Sequence, residues 1–238
     1  MRFFSECGDF FREYRRHVRT TGAILPSSRF LAHALASELR KPRGPSRILE
    51  VGPGTGSVTT AILRELHPAD RLDLVELNGR FIAYLQRRFD EEWLFHFHRD
   101  QVRLIHSAVE ALPGEEIYDL IVSSLPLNNF SVAQVRDVFR AYRRLLRPGG
   151  TLTYFEYVFI RQLKTPFVGR RERRRLYRIG RLVGRYIESY QVRREQVFMN
   201  VPPAIVRHLH LKPVSSDAEM IGCPTGFQRG GSAPVEKD

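Results

Sequence analysis

Ile48-Leu49-Glu50-Val51-Gly52-Pro53-Gly54-Thr55-Gly56, with the helix-like Ser57–Leu66 after it, reads as a short apolar strand running through a glycine turn into a helix. Glycines at alternate positions let the backbone approach a ligand without side-chain clash, and the following helix offers unpaired N–H groups. In an open parallel sheet such a turn lies at the carboxyl ends of the strands, where ligands bind. A P-loop is excluded, because no Gly-Lys-Ser/Thr follows. A dinucleotide site stays open on the turn alone, although the spacing is Gly-x-Gly-x-Gly with Glu50 two positions ahead, not Gly-x-Gly-x-x-Gly. Glu76 closes the next strand, Leu72-Asp73-Leu74-Val75-Glu76. A carboxylate there can bind both hydroxyls of a ribose, in NAD as in other nucleosides.

The alternation extends on both sides of the turn. Arg71–Leu77, Val102–His106, Tyr118–Ser123 and Thr151–Ile160 read as strands. Phe30–Leu39, preceded by the capping serines of Pro26-Ser27-Ser28, reads as a helix, as do Arg80–Phe89 and Val132–Leu146. The last of these stops at Arg147-Pro148-Gly149-Gly150. Arg171–Tyr190 is a basic helix, and Gln196–Leu211 a closing pair of strands broken at Pro202-Pro203. Strands alternating with helices imply an α/β fold with a largely parallel sheet covered on both faces. Phe3–Arg19 stands apart as an amphipathic helix, and residues after Pro213 are poor in core formers and read as a flexible tail. The expected organisation is therefore 1–19 amphipathic helix, 20–212 the α/β domain, and 213–238 tail.

Composition narrows the setting. The 238 residues suffice for one sizeable core, and no apolar run approaches the ~20 residues needed to span a bilayer. Met1–Phe4 is too short and too soon charged to be a secretory signal, so an intracellular protein is expected. Cys7 and Cys223 have no metal-like spacing, and no metal is expected. The formal charge is +12, and all but four of the 38 basic residues are arginine. Such a surface attracts a polyanion, either nucleic acid or anionic lipid, and arginine forks suit phosphate in both.

With Leu145-Leu146-Arg147-Pro148-Gly149-Gly150 leading into a strand, the chain resembles the class I S-adenosylmethionine-dependent methyltransferases over about residues 46–160. The resemblance implies a Rossmann-like fold with a seven-stranded, mostly parallel sheet and S-adenosylmethionine as cofactor. It assigns Glu50, Gly52, Pro53, Gly54, Thr55 and Gly56 to the cofactor turn and Glu76 to the ribose. Ser107 and Ala108 would lie along the adenine, with Leu77, after Glu76, and Ser123, at the end of the fourth strand, also against the cofactor. Many relatives carry aspartate where this chain has Ser107.

The loop after the fourth strand, Ser124-Leu125-Pro126-Leu127-Asn128-Asn129-Phe130, faces the transferred methyl in that family. It resembles the Asn-Leu-Pro-Tyr loop of rRNA adenine dimethyltransferases, but Leu127 replaces the ring that stacks on the flipped base and Ser124 the asparagine. Losing that ring forfeits about 1–3 kcal/mol of stacking. Leu125–Phe130, Gly22–Leu31 and Tyr154-Phe155-Glu156-Tyr157 together are similar to the bacterial phospholipid N-methyltransferases, over about residues 10–200. That resemblance implies stepwise methylation of the phosphatidylethanolamine headgroup toward phosphatidylcholine. An amine with a pKa well above neutrality must lose its proton before it attacks, so an acceptor is needed. Ser124, Leu125, Pro126, Asn128, Tyr154, Glu156 and Tyr157 are the candidate catalytic residues, with Glu156 as proton acceptor. Tyr154, Tyr157 and Phe130 would surround the methylated cation, and Arg161 or Lys164 would meet the lipid phosphate.

Two helices bear on the partner. In Arg171–Tyr190 the apolar Leu176, Ile179, Val183, Tyr186, Ile187 and Tyr190 share an arc of roughly 100°, and Arg171, Arg174, Arg175, Arg178, Arg181 and Arg185 form a separate, phosphate-facing stripe. In Phe3–Arg19 the aromatic residues Phe3, Phe10 and Phe11 oppose arginines, the pattern of an interfacial helix or of a lid. The sequence reading is thus a lipid-headgroup methyltransferase bound peripherally to the cytoplasmic face of an anionic membrane. An rRNA adenine N-methyltransferase is the alternative enzyme, and a cofactor-binding module without activity the alternative outside enzymes.

Overall fold

The structure, a computed structural model, describes residues 28–158, 170–200 and 202–212. The Phe3–Arg19 helix with Phe3, Phe10 and Phe11, the tail from Pro213, Arg161, Lys164 and the side chain of Arg171 lie outside the described residues.

Seven strands form one sheet: β1 (Arg47–Val51), β2 (Arg71–Glu76), β3 (Val102–His106), β4 (Tyr118–Ser123), β5 (Leu146–Tyr157), β6 (Gln191–Val197) and β7 (Ala204–Leu209). Their order is β3-β2-β1-β4-β5-β7-β6. The first five are parallel, and β7 runs antiparallel to both β5 and β6. The direction of travel reverses on either side of β1, so β1 and β4 part at their carboxyl ends and leave the crevice where such sheets bind ligands.

The helices are α1 (Arg29–Leu35), α2 (Ser57–Leu63), α3 (Gly79–Glu91), α4 (Trp93–Phe97), α5 (Val132–Leu145) and α6 (Arg170–Tyr190). Two apolar clusters cover the two faces of the sheet. One gathers Leu31, Leu35, Ile62, Leu85 and Phe95 from α1 to α4, and the other Val135, Phe139, Tyr142, Ile179 and Val183 from α5 and α6. Central strands are apolar on both sides for this reason: β1 buries Ile48 on the first face and Leu49 on the second. α5 starts cleanly because Ser131 and Gln134 close a capping box, each side chain accepting the other residue's backbone N–H (3.2 and 2.8 Å).

Three boundaries differ from the sequence expectation. β6 starts at Gln191, directly after α6, and not at Gln196. It is an edge strand that exposes Val192, Arg194 and Gln196 and buries only Val197, so no apolar alternation marks it. β5 starts at Leu146 and carries Arg147-Pro148-Gly149-Gly150 within it, where the pairing with β4 shifts register between Tyr118 and Leu120 and Gly149 takes φ +75°. Helix α1 ends at Leu35, and a 3₁₀ turn (Ser37–Arg40) follows.

Candidate functional site

The glycine turn leaves β1 with Gly52 donating to the Val75 carbonyl at 2.9 Å, which ties it to the end of β2. Gly52 lies at φ +71°, and a Cβ there would come within 2.6 Å of Leu125 Cδ2. Any side chain would therefore collide with the loop after β4 as well as strain the backbone. Gly56, at φ +81°, is constrained on the other side: a Cβ would meet Arg88 Nη1 at 2.7 Å and Leu85 at 3.0 Å. Arg88 holds the turn from α3 by donating to the Thr55 carbonyl (2.8 Å), while its guanidinium lies 4.0 Å from the Phe95 ring centre.

Two carboxylates underlie the turn. Glu76 is almost fully buried and accepts from the N–H of Gly54 (3.1 Å) and of Asn78 (2.8 Å). Burial raises its pKa from the usual carboxylate value, and those N–H donors oppose the rise. Each of its oxygens keeps a second lone pair for a ligand hydroxyl. Glu50 is fully buried; its Oε2 accepts from Thr59 Oγ1 at 2.7 Å, and its Oε1 has no protein partner. Burial pushes the Glu50 carboxyl up to about 8.

That shift has a measurable consequence. The raised native pKa makes the stability of the neutral form fully present below pH 4.5, with a progressive loss as pH rises through about 8. The loss is on the order of 4 kcal/mol at its full extent. Urea unfolding of the ligand-free protein at pH 5 and pH 8 is expected to show this fall, and Glu50→Gln to flatten it. An equal fall in both proteins would assign the pH dependence to other groups.

A small cavity opens above the turn, lined by Gly52, Glu76, Leu77, Ser107, Ala108, Glu110, Leu125 and Phe130. The structure thus brings together the residues expected at the ribose and adenine from β1, β2 and β3. Ser107 Oγ donates to the neighbouring Ala108 carbonyl (3.0 Å). Glu110, whose pKa is raised chiefly by burial, is the carboxylate on this wall.

The loop after β4 packs over the turn. Ser124 donates its backbone N–H to the Val51 carbonyl (2.9 Å), and its buried hydroxyl has no protein partner. Ser123 is fully buried and shares a 2.7 Å hydrogen bond with the Tyr142 hydroxyl. Pro126 and Asn128 are half-buried, whereas Leu127 belongs to the apolar core. Arg175 of α6 clamps the far end by donating to the carbonyls of Phe130 and Asn128, the latter at 2.9 Å.

β5 divides the remaining candidates. Tyr154 pairs with Ser123 across β4 and is fully buried against Phe139. Glu156, two residues on, shares its face and reaches above the end of β4. Its carboxylate accepts from the Tyr154 hydroxyl and from Arg207 of β7, each at 3.4 Å. Tyr157 falls on the opposite face, against Phe155 and the α1 side of the core. The expectation that Tyr154 and Tyr157 enclose one cation is thereby corrected, because adjacent strand faces alternate and the two lie three residues apart. Arg174 and Arg178 are exposed on α6. Arg175, expected on the outward basic stripe, instead turns in to the loop carbonyls, while nothing in the spacing of Arg88 and Arg207 separates them from the many other arginines.

Among the described residues no cluster of His, Cys, Asp or Glu is arranged to hold a metal ion. The two unpartnered oxygens, the Gly52 cradle and Glu76 form a polar set suited to an amino-acid nucleoside, and it lacks the glycine spacing of a dinucleotide site.

A family model described as a methyltransferase domain matches residues 48–150. Solved structures share the architecture: an O-methyltransferase from Bacillus cereus has a TM-score of 0.54 at 16% identity, covering 86% of this chain and 90% of that one. Another O-methyltransferase, from Streptomyces achromogenes, gives 0.54 at 17%, covering 87% and 88%. The ornithine lipid N-methyltransferase of Singulisphaera acidiphila is 31% identical over 150 residues, 63% of this chain and 74% of that protein. The chain belongs to the class I S-adenosylmethionine-dependent methyltransferases. The methyltransferase also matches the ribosomal RNA small subunit methyltransferase A of Burkholderia thailandensis, 34% identical over 96 residues, 40% of this chain and 34% of that protein. S-adenosylmethionine is the cofactor.

Proposed function

We propose that this methyltransferase methylates the amine of phosphatidylethanolamine, toward phosphatidylcholine, at the cytoplasmic face of a membrane. The observation that carries the reading is the likeness to an ornithine lipid N-methyltransferase across most of that protein's length. The Leu125–Phe130 loop, shared in pattern with phospholipid N-methyltransferases, supports it. No described helix is long and apolar enough to cross a membrane, so the reading places the protein on the surface.

Bound S-adenosylmethionine supplies an electrophilic methyl group. The protein's part is to hold it, to orient the amine and to remove a proton. In this account Glu76 holds the ribose, Glu50 lies beneath the turn, and Gly52 allows close approach. Ser124 offers its unpartnered hydroxyl to the amine, while Leu125, Pro126 and Phe130 shield the site from water. Glu156 takes the amine's proton; its contacts with Arg207 and Tyr154 fix the carboxylate in place.

An rRNA adenine N-methyltransferase is the second reading, favoured by the likeness to a ribosomal RNA methyltransferase. Leu127 weighs against it, because a core side chain cannot stack on a flipped base. Labelled S-adenosylmethionine offered phosphatidylethanolamine vesicles and unmodified rRNA side by side separates the two. Label is expected in the lipid, and label in the RNA alone would reverse the assignment.

A further inference from the structure

Among the described residues, two adjacent large apolar side chains stand exposed at the rim near the cofactor turn's end of the sheet. Phe198 and Met199, 71% and 69% exposed, form the tip of the turn joining β6 to β7. That tip lies at the carboxyl end of the sheet: Val158, just past β5, donates to the Pro203 carbonyl (2.7 Å), and Ala204 pairs with Tyr157. Buried Asn200 braces the turn from inside. It donates to the Pro202 carbonyl (2.7 Å) and accepts from the backbone N–H of Ser28 (3.2 Å), which caps α1. Asn200 thus holds the connection against α1, while its two apolar neighbours project outward.

The same contact brings the first residues of α1 to this rim. Phe30 is 40% exposed, and the Arg29 guanidinium lies 5.0 Å from its ring centre. α6 also begins at this end, since Arg175 grips the loop after β4, and Arg170, Arg173 and Arg174 beside it are exposed. Apolar side chains projecting among arginines match an anionic bilayer, with rings and thioether entering the acyl boundary and guanidiniums meeting phosphates.

We infer that the β6–β7 tip, Phe198 and Met199, with Phe30 and Arg29 beside it, is the surface that seats on an anionic lipid bilayer. Seated this way, the loop Ser124–Phe130 and Glu156 face the headgroups. The inference deepens the lipid reading by naming the docking surface, and it rests on that reading for its purpose but not for its test.

The test is sedimentation with vesicles of phosphatidylethanolamine mixed with phosphatidylglycerol, using the full chain. Phe198→Ser with Met199→Ser is compared with Trp93→Ser with Phe97→Ser. The second pair is an equally exposed, stacked aromatic pair on α4. The tip variant is expected to lose about tenfold or more in vesicle partition, and the α4 variant less than about twofold. Both should keep the wild-type Kd for S-adenosylmethionine, which shows that they are folded. Unchanged partition of the tip variant, equal losses in both variants, or a wild type that does not partition would overturn the inference. Tip-dependent partition without any lipid methylation would uphold the docking surface and remove phosphatidylethanolamine as substrate.

Discussion

Glu76→Ala is expected to raise the Kd for S-adenosylmethionine about a hundredfold or more. The carboxylate accepts two backbone N–H groups, from Gly54 and Asn78, and in the proposed complex also both ribose hydroxyls. Removing it leaves two donors unpaired in a buried place and leaves the Gly52–Val75 hydrogen bond as the turn's remaining tie to β2. Isothermal titration with the cofactor reads the effect directly. Glu76→Gln retains one acceptor oxygen, so its loss should be intermediate. A wild-type Kd in Glu76→Ala would mean that the carboxylate only braces the turn.

Glu156→Gln is expected to lower kcat by about a hundredfold, with little change in the KM for cofactor. Glutamine is nearly the same size and can still accept from Arg207 or Tyr154, so the loss isolates proton removal from positioning. The pH profile provides the second readout. Without an internal acceptor, only amine already deprotonated in solution reacts, and the variant's rate should climb about tenfold per pH unit toward the amine's own pKa. A variant with wild-type kcat, or with a parallel pH profile, would remove Glu156 as the acceptor.

Much of the fold is legible locally. β1, its glycine turn and α2 announce themselves because strand propensity, positive-φ glycines and a helix follow one another within a few residues. Glu76 is equally plain, standing at the end of an apolar strand. β6 is harder to see, since an edge strand such as Gln191–Val197 buries little and shows no apolar alternation. The Arg147–Gly150 segment looks like a turn and bulges out of register, while β5 pairs with β4 on either side of it at Leu146 and Thr151, a tertiary contact that propensity does not encode. At the site, strand alternation tells that Tyr154 and Glu156 share a face, but only the register with β4 and β7 tells which face meets the acceptor loop. Arg88 and Arg175 act through side-chain reach to backbone carbonyls more than thirty residues away, which no local pattern records.

The acceptor in the proposed reaction is the amine of a lipid headgroup. Mass spectrometry of phosphatidylethanolamine recovered from vesicles incubated with the protein and S-adenosylmethionine tests it most directly. Headgroup fragments heavier by one or more methyl substituents on nitrogen are expected, and none when Glu76→Ala replaces the wild type. Unmodified phosphatidylethanolamine, from vesicles to which the wild-type protein is bound with its cofactor, would contradict it.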